Sequence, residues 1–136
     1  MNYKAGLNKE QLEAVAHVDG PCLVMAGAGS GKTKVLTTRI INLIEEEIND
    51  YNILAITFTN KAAAEMRDRV RNMYGDVRSF IGTFHSLGLR IIRENYELCG
   101  LFNNFNIIDS DDVLSIIKKI MKNNNIDPKK FSPYAI

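Results

Sequence analysis

The sequence predicts an α/β fold in which helices flank a parallel β-sheet. Short apolar runs alternate with helix-like segments over residues 1–98, which gives the order α-β-α-β-α-β-α. A glycine-rich loop separates the first apolar run from the helix that follows it. This alternation is typical of parallel sheets, because each connection between parallel strands needs a crossover long enough to hold a helix.

The composition is that of one ordinary globular domain. The 136 residues are 46% hydrophobic and 24% charged, with a formal net charge of +1, so wholesale disorder is excluded and the net charge identifies no partner. Cys22 and Cys99 lack the spacing of a disulfide framework or a zinc site. No apolar run reaches the length of a membrane span, and the start lacks the apolar region of a signal peptide, so we expect a cytoplasmic protein.

The first three elements surround the glycine-rich loop. Residues 7–16 carry apolar side chains at helical spacing, and Asn8 can cap the start of that helix. Residues 22–26 form a continuous apolar run, which is the pattern of a buried parallel strand. After the loop, apolar residues at helical spacing predict a helix that ends in the acidic run 45–47.

Two further strand–helix pairs follow. The apolar run 53–58 predicts a second buried strand, and the alanine-rich start of residues 62–74 favours a helix. Residues 77–83 predict a third, shorter strand, and residues 85–96 predict a helix with apolar side chains along one side.

A change of composition near residue 99 marks the one plausible domain boundary. Beyond it, acidic residues precede one more helix with apolar positions at helical spacing, and the run 123–125 ends that helix. Residues 99–136 are too few to hold a core of their own. We therefore expect residues 1–98 to form one domain and residues 99–136 to be the start of a second, truncated one.

Residues 26–33 match the pattern of a phosphate-binding loop, with alanine in place of the usual first glycine. The loop comprises Ala26, Gly27, Ala28, Gly29, Ser30, Gly31, Lys32 and Thr33. The glycines allow backbone N–H groups to approach phosphate oxygens, and the following helix directs its positive end at the same anion. Lys32 is predicted to contact the β- and γ-phosphates as a catalytic group, and the Thr33 hydroxyl to bind Mg²⁺.

Basic and aromatic residues after the loop suit a polyanion. Seven basic and only three acidic residues lie between Lys61 and Arg93. Three phenylalanines adjoin strand ends, where bases could stack; they are Phe58, Phe80 and Phe84. A solvated helix face with the phenylalanines in the core would explain the same pattern, so both interpretations stay open at this point.

Other polar residues refine these alternatives. Thr57, Thr59 and Asn60 end a predicted strand, where open α/β sheets bind ligands, which favours nucleic acid. Asp109 and Asp112 could belong to the acidic Mg²⁺-binding strand of an ATPase. They precede a predicted helix, and acidic groups stabilise a helix N-terminus, so we interpret them as helix caps.

Four segments together resemble superfamily 1 DNA helicases of the UvrD/PcrA/Rep type. Residues 7–11 resemble the family's Q-motif, whose glutamine, here Gln11, reads the adenine edge. Residues 26–33 resemble motif I. Residues 56–66 are similar to motif Ia, which contacts single-stranded DNA, and residues 82–86 resemble the next DNA-contacting motif.

The resemblance implies a RecA-like P-loop NTPase domain over residues 1–98 and the start of the inserted helical subdomain over residues 99–136. It implies ATP and Mg²⁺ as cofactors and translocation on single-stranded DNA in the 3′-to-5′ direction, in repair or replication. Nucleotide contacts are then expected from Gln11, the loop residues, Lys34, which stands where many relatives have Arg, and Arg39. The DNA contacts that it implies are Thr57, Phe58, Thr59, Asn60, Lys61, Thr83, Phe84 and His85.

Several parts of the family pattern have no counterpart in this sequence. These are the acidic DExxQD motif, the later arginine motifs and the second RecA-like domain. We therefore expect an N-terminal fragment that does not hydrolyse ATP by itself and whose partners include the remainder of the helicase. The alternative is a small P-loop kinase or nucleotide-binding module that does not act on DNA, and DNA-stimulated ATPase activity would separate the two.

Overall fold

The structure, a computed structural model, describes residues 2–134 and confirms a mixed α/β chain with a parallel sheet. The helices of this described part are α1 (Lys9–Ala16), α2 (Lys32–Glu45), α3 (Asn60–Met73), α4 (Phe84–Glu94) and α5 (Ser110–Asn123). The strands are β1 (Leu54–Thr57) and β2 (Phe80–Thr83), and a short 3-10 helix covers Asp50–Asn52. The sheet is smaller than predicted, because its two strands pair only with each other.

The predicted strand at residues 22–26 is wrong. This segment has no regular structure, and the side chains of Leu23 and Met25 are 88% and 90% exposed. An apolar run forms a buried strand only when neighbouring strands accept and donate its backbone hydrogen bonds. Within the described residues β1 and β2 use each other for this purpose, and no strand lies alongside residues 22–26.

Pairing between β1 and β2 is parallel, with Leu54 opposite Phe80 and Thr57 opposite Thr83. This confirms the second and third predicted strands, within narrower bounds. Helix α3, which connects the two strands, packs against the sheet as expected for a crossover helix, and α2 packs against α3. Apolar residues of both helices and of the sheet form one buried cluster. The buried side chains of this cluster are Ile40, Ile53, Met66, Val70 and Ile81.

Side-chain caps define where three of the helices begin. Asn8 and Gln11 form a reciprocal capping box at the start of α1, and the Thr59 hydroxyl accepts from Ala62 N at the start of α3. Asp109 and Asp112 form a second capping box at the start of α5. The predicted roles of Asn8 and of the two aspartates as caps are confirmed, and each such cap is worth about 0.5–2 kcal/mol.

The described residues divide into two compact units between Ile92 and Arg93, in the last turn of α4. The first unit holds α1 to α3, the sheet and most of α4. The second unit holds α5 and its flanking loops, and within its described part Met121 is the only buried hydrophobic side chain.

Asp50, which lies shortly before β1, hydrogen-bonds with Arg78 and Ser79, the two residues that directly precede β2. Asp50 accepts from Arg78 N at 2.8 Å and from Arg78 Nη2 at 2.8 Å, and Ser79 Oγ donates to its carbonyl oxygen at 2.8 Å. The side-chain hydrogen bond from Arg78 lowers the pKa of the Asp50 carboxyl below its ordinary value of 3.8. The Arg78 side chain is 72% exposed, but that of Asp50 is only 19% exposed.

We expect Asp50→Asn to lower the melting temperature at neutral pH. Because the folded-state pKa is depressed, the ionised carboxylate stabilises the fold above pH 3.8, and this stabilisation is lost as the pH falls through the folded-state pKa. The melting temperatures of wild type and variant should therefore converge as the pH is lowered past 3.8. Asp76→Asn is the control, because its ion pair with Arg71 is exposed on both sides and should contribute little. A constant difference between wild type and Asp50→Asn at every pH would contradict this account.

Close packing at the end of β2 requires glycine at position 82. A Cβ atom there would lie 2.7 Å from Ser86 Oγ and 2.8 Å from the Phe80 ring. Ser86 cannot withdraw easily, because its Oγ accepts from Thr83 N at 2.8 Å and its N donates to Thr83 Oγ1 at 3.2 Å. Those two hydrogen bonds have the reciprocal geometry of a capping box and start α4 directly at the strand end.

We expect Gly82→Ala to lower the free energy of unfolding by about 1–3 kcal/mol, the usual cost of overpacking. Gly88→Ala is the matched control. It lies within α4 with no atom near the added Cβ, and alanine in place of glycine should stabilise a helix by roughly 0.5–1 kcal/mol. Urea unfolding of both variants measures the two effects, and a Gly82→Ala variant as stable as wild type would rule out the proposed clash.

Candidate functional site

The glycine-rich loop turns sharply before α2. Gly29 and Gly31 have φ angles of +74° and +81°, in the left-handed region that glycine adopts without steric cost. Ser30 Oγ donates to Gly27 O at 2.7 Å and closes the turn. The loop therefore makes a tight turn that places the start of α2 directly at its end.

The N-terminus of α2 is suited to an anion. Its N-cap residue is Gly31, which supplies no side-chain cap, and no acidic residue lies in the first turn. The N–H groups of such a turn have no intrahelical acceptor, and the helix dipole adds positive potential there. Lys32 and Thr33 are the first two residues of this turn, and the Lys32 ammonium donates to Ala26 O at 3.2 Å and Gly27 O at 2.6 Å.

A cavity of about 570 Å³ lies between α1, α2 and the segment that precedes the loop. This is the size of a typical small-molecule pocket. The predicted nucleotide-binding residues that line it are Gln11, Ala26, Gly27, Ser30, Lys32 and Arg39. The other predicted nucleotide-binding residues do not line it; they are Ala28, Gly29, Gly31, Thr33 and Lys34.

The Gln11 side chain is held in one orientation at the cavity wall. Its Nε2 donates to Ser30 O at 2.9 Å, and its Oε1 accepts from Asn8 N at 3.0 Å. A Cβ atom on Gly31 would lie 3.2 Å from Gln11 Nε2, so glycine at that position leaves room for the amide. Gln11 retains one further N–H and one lone pair for a ligand.

Lys34 and Arg39 both contact backbone oxygens of the N-terminal residues. Lys34 Nζ donates to Ala5 O at 2.9 Å and to Gly6 O at 3.0 Å. Arg39 Nη1 donates to Ala14 O at 2.7 Å, while its side chain also lines the cavity.

Sequence reasoning missed the apolar part of the cavity wall. Cys22, Val24, Met25 and Leu36 line the cavity, although we predicted residues 22–26 as a buried strand and assigned Cys22 no site. For Cys22, Val24 and Met25, their position directly before the glycine-rich loop is the signal that could have identified them. Apolar side chains on one side and hydrogen-bonding groups on the other suit a flat heteroaromatic base.

A second surface lies at the carboxyl ends of the two strands. We call it the strand-end surface, and its predicted members are Thr57, Phe58, Thr59, Asn60, Lys61, Thr83, Phe84 and His85. Because Thr57 pairs with Thr83 in parallel, the next residues along the two strands, Phe58 and Phe84, emerge side by side. Their ring centroids are 5.7 Å apart with the planes tilted by 50°.

The two phenylalanines are exposed, so their interpretation as core residues is wrong. Phe58 is 88% and Phe84 56% exposed. Phe80 differs, since it is half-buried and has the Arg90 guanidinium 5.8 Å from its ring centroid. Of the three phenylalanines near strand ends, Phe58 and Phe84 are therefore the two whose rings are exposed to a ligand.

The polar members of the strand-end surface have different surroundings. Thr83 is 5% exposed, and its hydroxyl is engaged by Ser86. Thr59 caps α3, whereas Asn60, Lys61 and His85 are exposed. Thr57 is half-buried at the end of β1.

Some of the basic side chains that we expected to face a polyanion are engaged in contacts within the protein. Arg71 pairs with Asp76, and Arg78 pairs with Asp50, which lies outside the segment in which we counted charges. Arg67 Nη1 donates to Ile81 O at 2.7 Å. The excess of positive charge available to a ligand is therefore smaller than the sequence count implies.

Two kinds of feature are absent from the described residues. No helix in residues 2–134 is long and apolar enough to cross a membrane. The same residues contain no group of three or more His, Cys, Asp or Glu side chains that could hold a metal ion.

Comparison with known proteins agrees with the resemblance that the motifs indicate. The sequence model of the UvrD/REP helicase N-terminal domain matches residues 7–135. The chain is 54% identical over 130 residues to the ATP-dependent DNA helicase PcrA of Staphylococcus aureus strain Mu50, with 93% of this chain covered. It is 53% identical over 135 residues to the PcrA of Bacillus subtilis strain 168, with 97% covered.

These relatives are much longer than the chain. The chain spans 18% of the length of each of the two PcrA proteins. The family match nonetheless covers nearly all of the chain, and it includes the glycine-rich loop, Gln11 and the strand-end surface. The resemblance is confirmed, and the chain belongs to the UvrD/REP helicase family.

Proposed function

We propose that the full-length protein is an ATP-dependent DNA helicase or translocase that moves 3′-to-5′ on single-stranded DNA in repair or replication. In this proposal the chain binds ATP and contacts the DNA strand. The observation that carries it is the exposed Phe58–Phe84 pair at the carboxyl ends of β1 and β2, in the same unit as the glycine-rich loop. A P-loop kinase or nucleotide-binding module has no need of such a pair, and two relatives are named ATP-dependent DNA helicases.

ATP is proposed to bind with its phosphates at the loop and its base in the cavity. The uncapped first turn of α2 supplies N–H donors to the phosphates, and Lys32 exchanges its carbonyl contacts for the β- and γ-phosphate oxygens. The base meets Gln11 on one side and the apolar wall on the other. These groups bind and orient the nucleotide.

The same loop is proposed to hold Mg²⁺ together with ATP. Mg²⁺ prefers oxygen ligands and usually keeps several waters, with one or two carboxylates plus phosphate oxygens. The Thr33 hydroxyl would be one oxygen ligand, and the acidic strand in the remainder of the protein would add a carboxylate. Bound there, Mg²⁺ supplies neutralisation of the charge that develops on the transferred phosphoryl group.

Single-stranded DNA is proposed to cross the strand-end surface. Phe58 and Phe84 offer exposed ring faces for base stacking, and Asn60, Lys61 and His85 offer donors to the DNA backbone. Thr57, Thr59 and Thr83 form the edge from which these residues project. Their hydroxyls act chiefly within the protein where they cap helices.

The proposal assigns the rest of the machinery to the remainder of the protein, because the chain spans only 18% of its relatives. That remainder would supply the acidic strand, the arginines at the γ-phosphate and the second RecA-like domain. Residues 1–98 would belong to the first RecA-like domain and residues 99–136 to its inserted helical subdomain. A cytoplasmic location goes with an enzyme that uses ATP on chromosomal DNA.

We expect Lys32→Ala in the full-length protein to lower ATP turnover by about 100-fold or more while leaving single-stranded DNA binding mostly intact. The reason is that Lys32 supplies a positive charge to the transition state at the phosphates. Phosphate release with and without single-stranded DNA measures the effect. Lys9→Ala, an exposed lysine outside the cavity wall, is the control. A Lys32→Ala turnover within about threefold of wild type would refute the assignment. Wild-type turnover that single-stranded DNA does not stimulate would favour the kinase-like alternative.

We expect Phe58→Ala and Phe84→Ala each to weaken single-stranded DNA binding by about 1–3 kcal/mol, the usual contribution of one stacked base. Because both rings are exposed, the melting temperature and the ATP affinity should stay close to wild type. Fluorescence anisotropy of a labelled oligonucleotide measures the DNA affinity. Tyr51→Ala is the control, since this exposed aromatic residue precedes β1 at the opposite end of the strand. Equal effects of Tyr51→Ala and Phe58→Ala would show that the strand ends have no special role.

A further inference from the structure

The residues that carry Gln11 do not fold by local forces alone. Helix α1 has only eight residues, and isolated helices of this length are not stable in water. We call residues 3–16 the N-terminal arm. Its apolar residues Ala14 and Val15 pack against Val35 of α2, but one small cluster does not fix the direction or the rotation of a short helix.

Two side chains of α2 hold the carboxyl end of the arm. Arg39 Nη1 donates to Ala14 O at 2.7 Å, and Asn42 Nδ2 donates to Val15 O at 3.3 Å. Both oxygens lie in the last turn of α1, where carbonyls have no intrahelical donor and a cation is favoured by the helix dipole. Asn42 is 1% exposed, and its Oδ1 accepts from Tyr3 Oη at 3.4 Å.

A third side chain of α2 holds the other end of the arm. Lys34 Nζ donates to Ala5 O and Gly6 O, three and two residues before the N-cap residue Asn8. Gly6 has a φ angle of +70°, and a Cβ atom there would lie 3.0 Å from Lys34 Nζ. We call Lys34, Arg39 and Asn42 the clamp residues, because they hydrogen-bond to the arm on both sides of Gln11.

The clamp determines where the Gln11 amide points. With the arm fixed, Gln11 Oε1 faces Asn8 N and Nε2 faces Ser30 O, which leaves one acceptor and one donor directed at the cavity. A glutamine amide so oriented matches the adjacent N6 donor and N7 acceptor of adenine. Guanine presents acceptors at both positions, so it leaves the Gln11 oxygen facing another oxygen.

We propose that Lys34, Arg39 and Asn42 are positioning residues that set the preference for adenine over guanine by fixing Gln11, and that Lys34 acts on the arm instead of on the phosphates. This inference rests on the proposed function, because it assumes that ATP occupies the cavity. It predicts a property that a phosphate contact would not have. Loss of the Lys34 bonds should change base selectivity and leave binding of the phosphates alone.

The test compares three ligands on the full-length protein: ATP, GTP and inorganic tripolyphosphate, each with Mg²⁺. Lys34→Met removes both hydrogen bonds and keeps the length of the side chain. It should lower the ratio of ATP affinity to GTP affinity by roughly fivefold, the effect of one or two net hydrogen bonds, with tripolyphosphate affinity unchanged. Lys34→Arg, which can still donate to both carbonyls, should keep the wild-type ratio.

Gly6→Ala disturbs the same contact from the arm and leaves the Lys34 charge in place. It should lower the ratio of ATP affinity to GTP affinity as Lys34→Met does. If one of the two variants fails to fold, the other still tests the contact. Gln11→Ala should lower the ratio further. The Gln11→Ala, Lys34→Met double variant should then show the ratio of Gln11→Ala alone, because both changes act on one interaction.

Two results would overturn the inference. The first is a Lys34→Met variant that loses affinity equally for ATP, GTP and tripolyphosphate, since that is the behaviour of a direct phosphate contact. The second is an additive effect of Lys34→Met on a Gln11→Ala background. Either result leaves the proposed function standing, whereas a wild-type protein that binds none of the three ligands at the loop would refute the proposed function itself.

Discussion

The parallel pairing of β1 with β2 controls which parts of the first unit can meet. Parallel strands end at the same edge, so Thr57 and Thr83 lie opposite each other and α3 and α4 begin side by side. The buried residues Ile53 and Ile81 thereby face one common layer of helices. A shift of register by one residue would turn these side chains outward and separate the two phenylalanines that follow the strands.

Local features of the fold could be predicted from the sequence, and long-range ones could not. The caps at Asn8 and Asp109 depend on groups three residues apart, and the glycine-rich loop carries its conformation in its own residues. The segment 22–26 depends on neighbouring strands, so hydrophobicity alone misled us. The partner of Lys34 lies 28 or 29 residues away in a polar stretch without periodicity, and no spacing rule identifies such a contact.

Helix α2 serves three parts of the first unit at once. Its first turn follows the glycine-rich loop, its apolar side joins the buried cluster through Ile40, and its polar side holds the N-terminal arm through Asn42. The buried Thr37 hydroxyl donates back to Thr33 O and Lys34 O, which satisfies that polar group without an outside partner. A change on one side of this helix is therefore felt by the other two, because a packed helix moves as a rigid body.

The contact between Phe58 and Phe84 has an entropic consequence. Each ring limits the rotamers of the other, so part of the side-chain freedom that a ligand would otherwise remove is already absent in the unliganded protein. The surface is preorganised by strand register, which is set by the backbone and does not depend on the ligand. For the DNA binding that we propose, such a pair would release one base and receive the next without reordering itself at each exchange.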